Sequence, residues 1–180
     1  ILSGGDPLMA DDQALSGLFV RLESVSSIHR LRIHTRLPIV IPERVTDLLC
    51  QAIATTALPV VMVLHSNHAN EIDQSVMDAV SQLRAVCRSV LNQSVILKGI
   101  NDSADVLIAL SERLFEAGID PYYLNVLDRV SGAHHFDVSD LEVAALHQAL
   151  LNALPGYLVP KLVREVPGIG HKVQWKETTH

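Results

Sequence analysis

The chain has 180 residues, of which 48% are hydrophobic, and a formal net charge of −6 at pH 7. This length and hydrophobic content are typical of one globular domain with its own core, and the negative charge argues against a partner held through nucleic-acid phosphates. No apolar run approaches the roughly 20 residues of a membrane span, and no signal-peptide pattern is present. Two widely separated cysteines, Cys50 and Cys87, match no metal-binding spacing. We therefore expect a cytoplasmic protein whose two thiols are reduced and buried.

Short β-rich runs recur at intervals of about 30 residues, with amphipathic helical patterns between them. Strands are predicted at residues 1–2, 30–35, 59–65, 88–95, 121–127 and 157–163, and helices at 11–24, 42–55, 70–85, 102–116 and 139–151. Asp102 is suited to cap the fourth helix and Gly118 to end it, and Ser139 with Glu142 has capping-box spacing before the fifth.

This alternation predicts βαβ units and a parallel sheet covered by helices. An eight-unit barrel needs about 250 residues, so five strand–helix units with a closing strand cannot complete one. An open doubly wound sheet and a partial barrel both fit the pattern. Because residue 1 lies in mid-strand without a lead-in, we expect the chain to be a piece of a longer polypeptide.

Polar residues follow every predicted strand, whereas the strand interiors are apolar. Ligands bind beyond the carboxyl ends of the strands in parallel α/β folds, so we expect these residues to surround one polar ligand site. They are Ser3, Gly4, Gly5, Asp6, Thr35, Arg36, residues 65–71, Asn92, Gln93, Ser94, Asn125, Asp128 and Glu165. The pattern does not identify the ligand.

Two of these groups have a structural interpretation beside the functional one. The turn after the first strand is either an ordinary βα turn capped by Asp6 or a backbone surface for an amino-acid-like ligand. His65 and His68 are two histidines three residues apart, which is weak evidence for zinc, and we expect them to form hydrogen bonds instead.

The last predicted strand leads into a loop with Gly168 and Gly170, followed by Lys172. A lysine delivered there could form a Schiff base with a carbonyl cofactor such as pyridoxal phosphate, or it could be an ordinary solvated lysine. Asp128 and Glu165 follow the last two strands, which a parallel order makes neighbours. These acids could clamp an ammonium group, or they could be ordinary surface acids.

Five motifs in order resemble the lysine 2,3-aminomutase family, whose members are radical S-adenosylmethionine enzymes that also use pyridoxal phosphate. The motifs are Ser3-Gly4-Gly5-Asp6-Pro7-Leu8, Arg32-Ile33-His34-Thr35-Arg36-Leu37-Pro38, Asn67-His68-Ala69-Asn70-Glu71, Asn92-Gln93-Ser94-Val95 with Asn101-Asp102, and Pro121-Tyr122-Tyr123-Leu124 with Asp128 and Gly132. His34 with residues 36–42, together with residues 156–160, is most similar to the bacterial branch that makes β-lysine for modifying translation elongation factor P. The resemblance runs from Ile1 to about Lys172.

The resemblance implies a partial (β/α)6-type radical S-adenosylmethionine barrel that lacks its first strand and its cluster loop, with a parallel sheet and outer helices. Residues 1–163 would form this barrel with strands two to six, and residues 164–180 a C-terminal loop that carries the cofactor lysine. Lys172 would bear pyridoxal phosphate. The other implied site residues are Ser3, Gly4, Gly5 and Asp6 for S-adenosylmethionine, Asn92 and Gln93 in the cofactor pocket, and Asp128 and Glu165 for the side-chain ammonium of the substrate L-lysine.

The implied activity is that of an isomerase that converts L-lysine to β-lysine by radical 1,2-amino migration, and a homo-oligomer is compatible with the sequence. Family members hold a [4Fe–4S] cluster with a Cys-x3-Cys-x2-Cys loop that precedes the glycine motif, and Cys50 and Cys87 cannot replace it. We therefore expect the fragment by itself to be inactive. The family lysine is usually followed by Thr-Pro, whereas Val173-Gln174 follows here, which leaves Lys176 as a weaker rival.

Two alternatives stay open at this point. The chain could be a non-catalytic remnant that binds an amino acid without radical chemistry. It could also be an ordinary pyridoxal-phosphate barrel enzyme without a radical step, although the glycine motif at Ser3 argues against that interpretation.

Overall fold

The computed structural model describes residues 1–128, 134–165, 168, 170 and 172–175. Its strands are β1 (Leu31–Thr35), β2 (Val60–Leu64), β3 (Ser89–Val95), β4 (Asp120–Asn125), β5 (Lys161–Arg164) and β6 (Val173–Gln174). Its α-helices are α1 (Asp12–Glu23), α2 (Leu37–Val40), α3 (Asp47–Thr55), α4 (Gln74–Val86), α5 (Ala104–Glu116) and α6 (Asp140–Ala153). Short 3₁₀ helices cover Pro7–Met9, Pro42–Arg44, Ala69–Glu71, His134–Phe136 and Gly156–Leu158.

The strands form one six-stranded sheet in which neighbours in space are also neighbours in sequence. Strands β1 to β5 are parallel, and β6 pairs antiparallel with β5. This confirms the predicted α/β class with a mostly parallel sheet. A doubly wound sheet reverses its strand order at a switch point, so the sequential order shows that the doubly wound alternative is wrong.

The first predicted strand is shorter than expected and amounts to one bridge outside β1. Leu2 pairs in parallel with Ile33, because the Leu2 amide donates to the Arg32 carbonyl oxygen at 2.8 Å and the Leu2 carbonyl oxygen accepts from the His34 amide at 3.0 Å. The last predicted strand begins late, at Lys161, since the 3₁₀ helix Gly156–Leu158 takes up its start. Strand β6 has only two residues and was not predicted.

Capping residues decide where the helices begin. The predicted helices 42–55 and 70–85 start late, at Asp47 and Gln74. Side chains that precede these residues cap them: Thr46 accepts from the Leu49 amide and Asp73 from the Val76 amide, both at 3.0 Å. Asp102 was wrong as the cap of α5, because Ser103 fills that role. The capping box of Ser139 and Glu142 before α6 is confirmed.

The helices cover one face of the sheet, and alternation along the strands separates the two faces. Leu31, Ile33 and Thr35 in β1 are buried, whereas the residues between them are half-buried. Helix α4 contributes the matching apolar stripe, with buried residues at positions 76, 79, 80 and 83, which is the spacing of one helical face. A second core cluster, which includes Leu124, Leu150 and Leu162, lies around α6 and the last strands.

The cysteines depart from the prediction that both are buried. Cys50 and Cys87 are free thiols of intermediate exposure. Partial burial nevertheless raises the pKa of the Cys87 thiol to about 12, so this thiol stays protonated at neutral pH. Within the described ranges, no helix is both long and apolar enough to cross a membrane.

Gly118 ends α5 in a left-handed conformation with φ +77°, and an added Cβ would lie 2.7 Å from the Arg84 guanidinium carbon. We predict that Gly118→Ala lowers the free energy of unfolding by about 1–2 kcal/mol, the cost of a left-handed backbone for a residue with a Cβ. Gly17→Ala is the matched control, because Gly17 lies in α1 with open space around its Cα and gains roughly 0.5–1 kcal/mol from the better helix former. Urea unfolding measures both, and equal effects of the two substitutions would contradict the prediction.

Candidate ligand site at the carboxyl ends of the strands

The sheet face turned away from the helices carries half-buried polar side chains, and we call it the polar face. It is defined by Arg32 and His34 of β1, His65 after β2, Gln93 of β3 and Tyr123 of β4. Gln93 Nε2 lies 2.8 Å from His65 Nε2 and 3.5 Å from His34 Nδ1. The two imidazole rings meet edge to face, with their centroids 6.0 Å apart. Three strands therefore contribute one polar cluster.

Several buried atoms of the polar face have no hydrogen-bond partner in the described structure. They are His34 Nε2, Gln93 Oε1 and Arg32 Nε. Buried polar atoms in folded proteins are nearly always hydrogen-bonded, so unsatisfied ones need an explanation. Their shared location on the polar face points to a ligand or solvent that completes their bonding.

The two histidines of the polar face favour the neutral form. Burial, reinforced by the positive charges of Arg32 and other nearby groups, lowers the pKa of His34 to about 4. Burial likewise lowers the pKa of His65, although the carboxylate of Asp6 partly opposes that shift. A neutral imidazole has one donor and one acceptor nitrogen, so both residues can hydrogen-bond a ligand at neutral pH.

Lys172 reaches the rim of the polar face from the C-terminal segment. Its Nζ donates to Asn125 Oδ1 at 2.6 Å and to Glu165 Oε1 at 2.9 Å, and lies 5.8 Å from the centroid of the Tyr123 ring. The antiparallel pairing of Arg164 with Val173 explains this placement. In an antiparallel pair, the residue after Arg164 lies opposite the residue before Val173, so Glu165 and Lys172 face each other. The structure thus brings Lys172 and Glu165 together, whereas their proposed cofactor and substrate roles stay predictions.

The turn after Leu2 lies beside the carboxyl end of β1. Gly4, Gly5 and Asp6 all have positive φ values, 86°, 59° and 58°, and Ser3, Gly4 and Gly5 are exposed. Both carboxylate oxygens of Asp6 are already engaged. Oδ1 accepts from Thr35 Oγ1 at 2.6 Å and from the Leu8 amide at 3.0 Å, and Oδ2 accepts from the Arg36 amide at 2.7 Å.

The capping role of Asp6 is therefore confirmed. Because its carboxylate is engaged, a ligand at this turn would meet mainly the exposed backbone of residues 3–5. The predicted binding of S-adenosylmethionine by this turn stays a prediction.

Asn92 lies on the opposite side of β3 from its neighbour Gln93, with 1% of its surface exposed. Its Oδ1 accepts from the Ser66 amide at 2.8 Å, and its Nδ2 donates to the Ser66 carbonyl oxygen at 3.0 Å and to Ser94 Oγ at 2.8 Å. These bonds hold the loop after β2 against β3. The two residues predicted to line the cofactor pocket thus face different layers, and their cofactor contacts stay predictions.

The amides of Asn67 and Asn101 brace the same edge. The sequence placed Asn67 only among the residues expected around the ligand site and gave Asn101 no individual role. Asn101 Nδ2 donates to the carbonyl oxygens of Asn67 and Val95 at 2.8 and 2.9 Å. Asn67 Oδ1 in turn accepts from the Val95 amide at 2.8 Å. Asparagines that follow predicted strands were the available signal, but only the fold shows which backbone groups they reach.

The remaining predicted residues have mixed outcomes. Asp128 is exposed, and no ion pair in the described part of the chain joins it to Lys172. The expected hydrogen-bonding use of the two histidines is confirmed, because His65 contacts Gln93 and His68 Nδ1 accepts from the Asn70 amide at 3.1 Å. Lys176 lies outside the described residues.

The chain is an α/β protein with a mostly parallel sheet. Its polar side chains and the Lys172 amine form a candidate site where proteins of this class bind ligands, beyond the carboxyl ends of the strands. No family model matches the chain. The chain is 52% identical over 177 residues to the L-lysine 2,3-aminomutase of Haemophilus influenzae and 52% identical over 168 residues to that of Escherichia coli. It is 47% identical over 173 residues to that of Buchnera aphidicola.

These matches cover 98%, 93% and 96% of this chain but only 52%, 49% and 51% of the relatives. The chain thus spans about half the length of the curated relatives it matches. The resemblance to the lysine 2,3-aminomutase family is confirmed over the part that the chain shares with these relatives.

The lowered pKa of His34, to about 4, predicts a pH dependence of stability. An unfolded histidine has a pKa near 6.5, so between about pH 6.5 and 4 the unfolded chain binds a proton that the folded chain does not. Stability contributed by neutral His34 is therefore complete above about pH 6.5 and is lost as the pH falls towards 4. Urea midpoints measured from pH 7 to 4 should fall less steeply in His34→Gln than in the wild type. His29→Gln, at an exposed position, is the control, and parallel curves for wild type and His34→Gln would contradict the prediction.

Proposed function

We propose that this chain carries the lysine-bearing part of an L-lysine 2,3-aminomutase, an isomerase that converts L-lysine to β-lysine. The observation that carries the proposal is the position of the Lys172 amine. It sits at the rim of the polar face, bonded to Asn125 and Glu165, and the same face carries buried polar atoms that lack partners in the described structure. The high identity to enzymes of that name over nearly the whole chain supports the same assignment.

The described residues fit pyridoxal phosphate as the partner of Lys172. The Lys172 side chain is only 22% exposed, and the unsatisfied atoms of His34 and Gln93 offer hydrogen-bonding groups on the same face. When bound, this cofactor supplies a conjugated π-system that acts as an electron sink beside the reacting nitrogen. Lys172 would hold it, and Gln93 and the neutral histidines would orient it.

The glycine turn fits the amino-acid end of S-adenosylmethionine. Exposed backbone at Ser3, Gly4 and Gly5 can approach such a ligand closely, because no other atom lies within 4 Å of a Cβ built at either glycine. In this family S-adenosylmethionine supplies the radical. The part of this chain in the proposal is to bind and orient the ligand next to the end of β1.

The described residues do not fit an iron–sulfur cluster. Such clusters are held by cysteine thiolates, and the chain has two cysteines. The thiol of Cys87 has a pKa of about 12, and in the described part of the chain no group of three or more His, Cys, Asp or Glu side chains could hold a metal ion. No step of the reaction is therefore assigned to these residues through a cluster.

The proposed substrate contacts are ionic and set the length of the substrate. Glu165 and Asp128 would accept charge-assisted hydrogen bonds from the side-chain ammonium of L-lysine. When the side-chain ammonium of L-lysine is held, the substrate carbon next to the reacting nitrogen lies at a defined distance from the rim. Such positioning of the reacting groups supplies much of the rate enhancement in enzymes. We further propose the branch that serves modification of elongation factor P, in the cytoplasm. This rests on His34 with residues 36–42, and on residues 156–160.

Lys172→Ala tests the cofactor anchor. We predict that the wild-type chain, mixed with pyridoxal phosphate, gains a protein-bound visible absorbance, because the Lys172 amine is held at the rim. Borohydride should then reduce the C=N bond, remove this absorbance and leave the cofactor linked to Lys172 as a secondary amine. Lys172→Ala should lose this signal, and peptide mass spectrometry should locate the label. Lys161→Ala, which removes an exposed lysine of β5, should retain it. A label on another lysine in the wild type, or full absorbance in Lys172→Ala, would exclude Lys172 as the anchor.

A further inference from the structure

The ammonium group of Lys172 is held by three chemically different partners. Asn125 offers an amide oxygen at 2.6 Å, Glu165 a carboxylate oxygen at 2.9 Å, and Tyr123 the face of its ring at 5.8 Å. A lysine ammonium has three donors and no acceptor, and an aromatic face attracts a cation within about 6 Å. The three partners therefore match the chemistry of a primary ammonium rather than that of lysine in particular.

Asn125 is fixed in the orientation that suits a cation. It is the last residue of β4, 8% exposed, and its Nδ2 donates to the Ser94 carbonyl oxygen at 2.9 Å. Rotating the amide by 180° would bring its oxygen against that carbonyl oxygen and turn its NH₂ group towards the ammonium. Both contacts would then be repulsive, so the Ser94 carbonyl oxygen keeps Oδ1 aimed at the amine.

Tyr123 is also held in place. Its ring lies 3.8 Å from that of Tyr122, and its hydroxyl accepts from the Tyr122 hydroxyl at 3.0 Å. Adjacent residues of a regular strand point to opposite faces. The register shift between β3 and β4 at Asn92 and Gln93 is a local irregularity of the kind that re-aims side chains. The ring face at the amine is thus part of a built arrangement.

We propose that Asn125, Tyr123 and Glu165 form a binding site for a primary alkylammonium group, which the side chain of Lys172 fills when no ligand is present. The site adds Asn125 and Tyr123, as specificity-determining residues, to the acids already assigned to the substrate. The inference rests on the proposed function for the identity of the natural ligand, an amine whose ammonium enters once Lys172 has moved to its cofactor. The internal lysine and the ligand ammonium compete for the same three groups.

The test uses Lys172→Ala, which removes three carbons and the amine and leaves space for n-propylammonium. We expect n-propylammonium at millimolar concentrations to raise the melting temperature of Lys172→Ala, with saturation, and to leave the wild type unchanged because its own lysine fills the site. n-Propanol, a neutral molecule of similar shape, and sodium chloride at equal ionic strength should have no such effect. Equal responses to n-propylammonium and n-propanol, or to n-propylammonium and salt, would overturn the proposal.

Second substitutions in the Lys172→Ala chain identify the site. Asn125→Ala and Glu165→Gln should each weaken n-propylammonium binding about tenfold, since the first removes a charge-assisted hydrogen bond and the second removes the carboxylate charge. Tyr123→Leu should weaken it less. Asn152→Ala is the matched control, because Asn152 is exposed on α6 and bonded only to Gln148 in the described chain. Undiminished binding in the Asn125→Ala chain would refute the site.

A measurement on chains that keep Lys172 covers the case in which Lys172→Ala does not fold. Limited acylation followed by peptide mass spectrometry compares Lys172 with Lys161, which lies 5.9 Å from the Tyr122 ring centroid and serves as the internal standard. Asn125→Ala should raise the rate at Lys172 relative to Lys161 about tenfold, because the amine loses a charge-assisted bond. An unchanged ratio would show that Asn125 does not hold the amine.

The two proposals fail in different ways. If n-propylammonium binds Lys172→Ala but pyridoxal phosphate does not label Lys172 in the wild type, the ammonium site stands and the aminomutase assignment falls. If the cofactor labels Lys172 but n-propylammonium does not bind Lys172→Ala, the assignment stands and the ammonium site is refuted.

Discussion

The buried amide side chains of Asn92 in β3, Asn101 after β3 and Asn125 at the end of β4 are the constraint on which the rest of the site depends. Where a parallel strand ends, backbone N–H and C=O groups lose their ladder partners, and leaving them unpaired in the interior is costly. Asn92, Asn101 and Asn125 supply those partners. Between them they bond backbone groups of Ser66, Asn67, Ser94, Val95 and Leu97. The edge of the sheet is thereby held as one rigid unit.

This bracing determines where the ionic groups lie. Asn125 bonds the Ser94 carbonyl oxygen with one end of its amide and the Lys172 ammonium with the other. The short antiparallel strand β6 returns the chain beside β5, so Lys172 reaches the rim beside Glu165. A lysine from a C-terminal segment is thus positioned by a side chain anchored in the centre of the sheet.

The two faces of the sheet have opposite electrostatic roles. On the helix-facing side, the Asn92 amide bonds Ser66 and Ser94, whereas the polar face leaves His34 Nε2, Gln93 Oε1 and Arg32 Nε without partners in the described structure. Burial and the neighbouring cations hold both of its histidines neutral, with the pKa of His34 lowered to about 4. The polar face is thus half-buried and incompletely bonded, with neutral histidines beside a charged arginine, and its unpaired groups can offer hydrogen bonds at the cost of some stability.

The sequence by itself determined the α/β class, the approximate positions of five strands and five helices, and the set of polar strand ends, because periodicity and capping are local properties of neighbouring residues. Its resemblance to lysine 2,3-aminomutases also assigned Lys172 and Glu165 to one predicted site. Only the tertiary structure decided that Gln93 lies on the polar face and Asn92 behind it, because the pleat puts neighbours on opposite faces but the packing of the helices decides which face is covered. It also decided that Asn125 meets Lys172, 47 residues along the chain. This contact depends on the pairing of β6 with β5. A local sequence pattern does not specify which distant segments of a chain pair with each other.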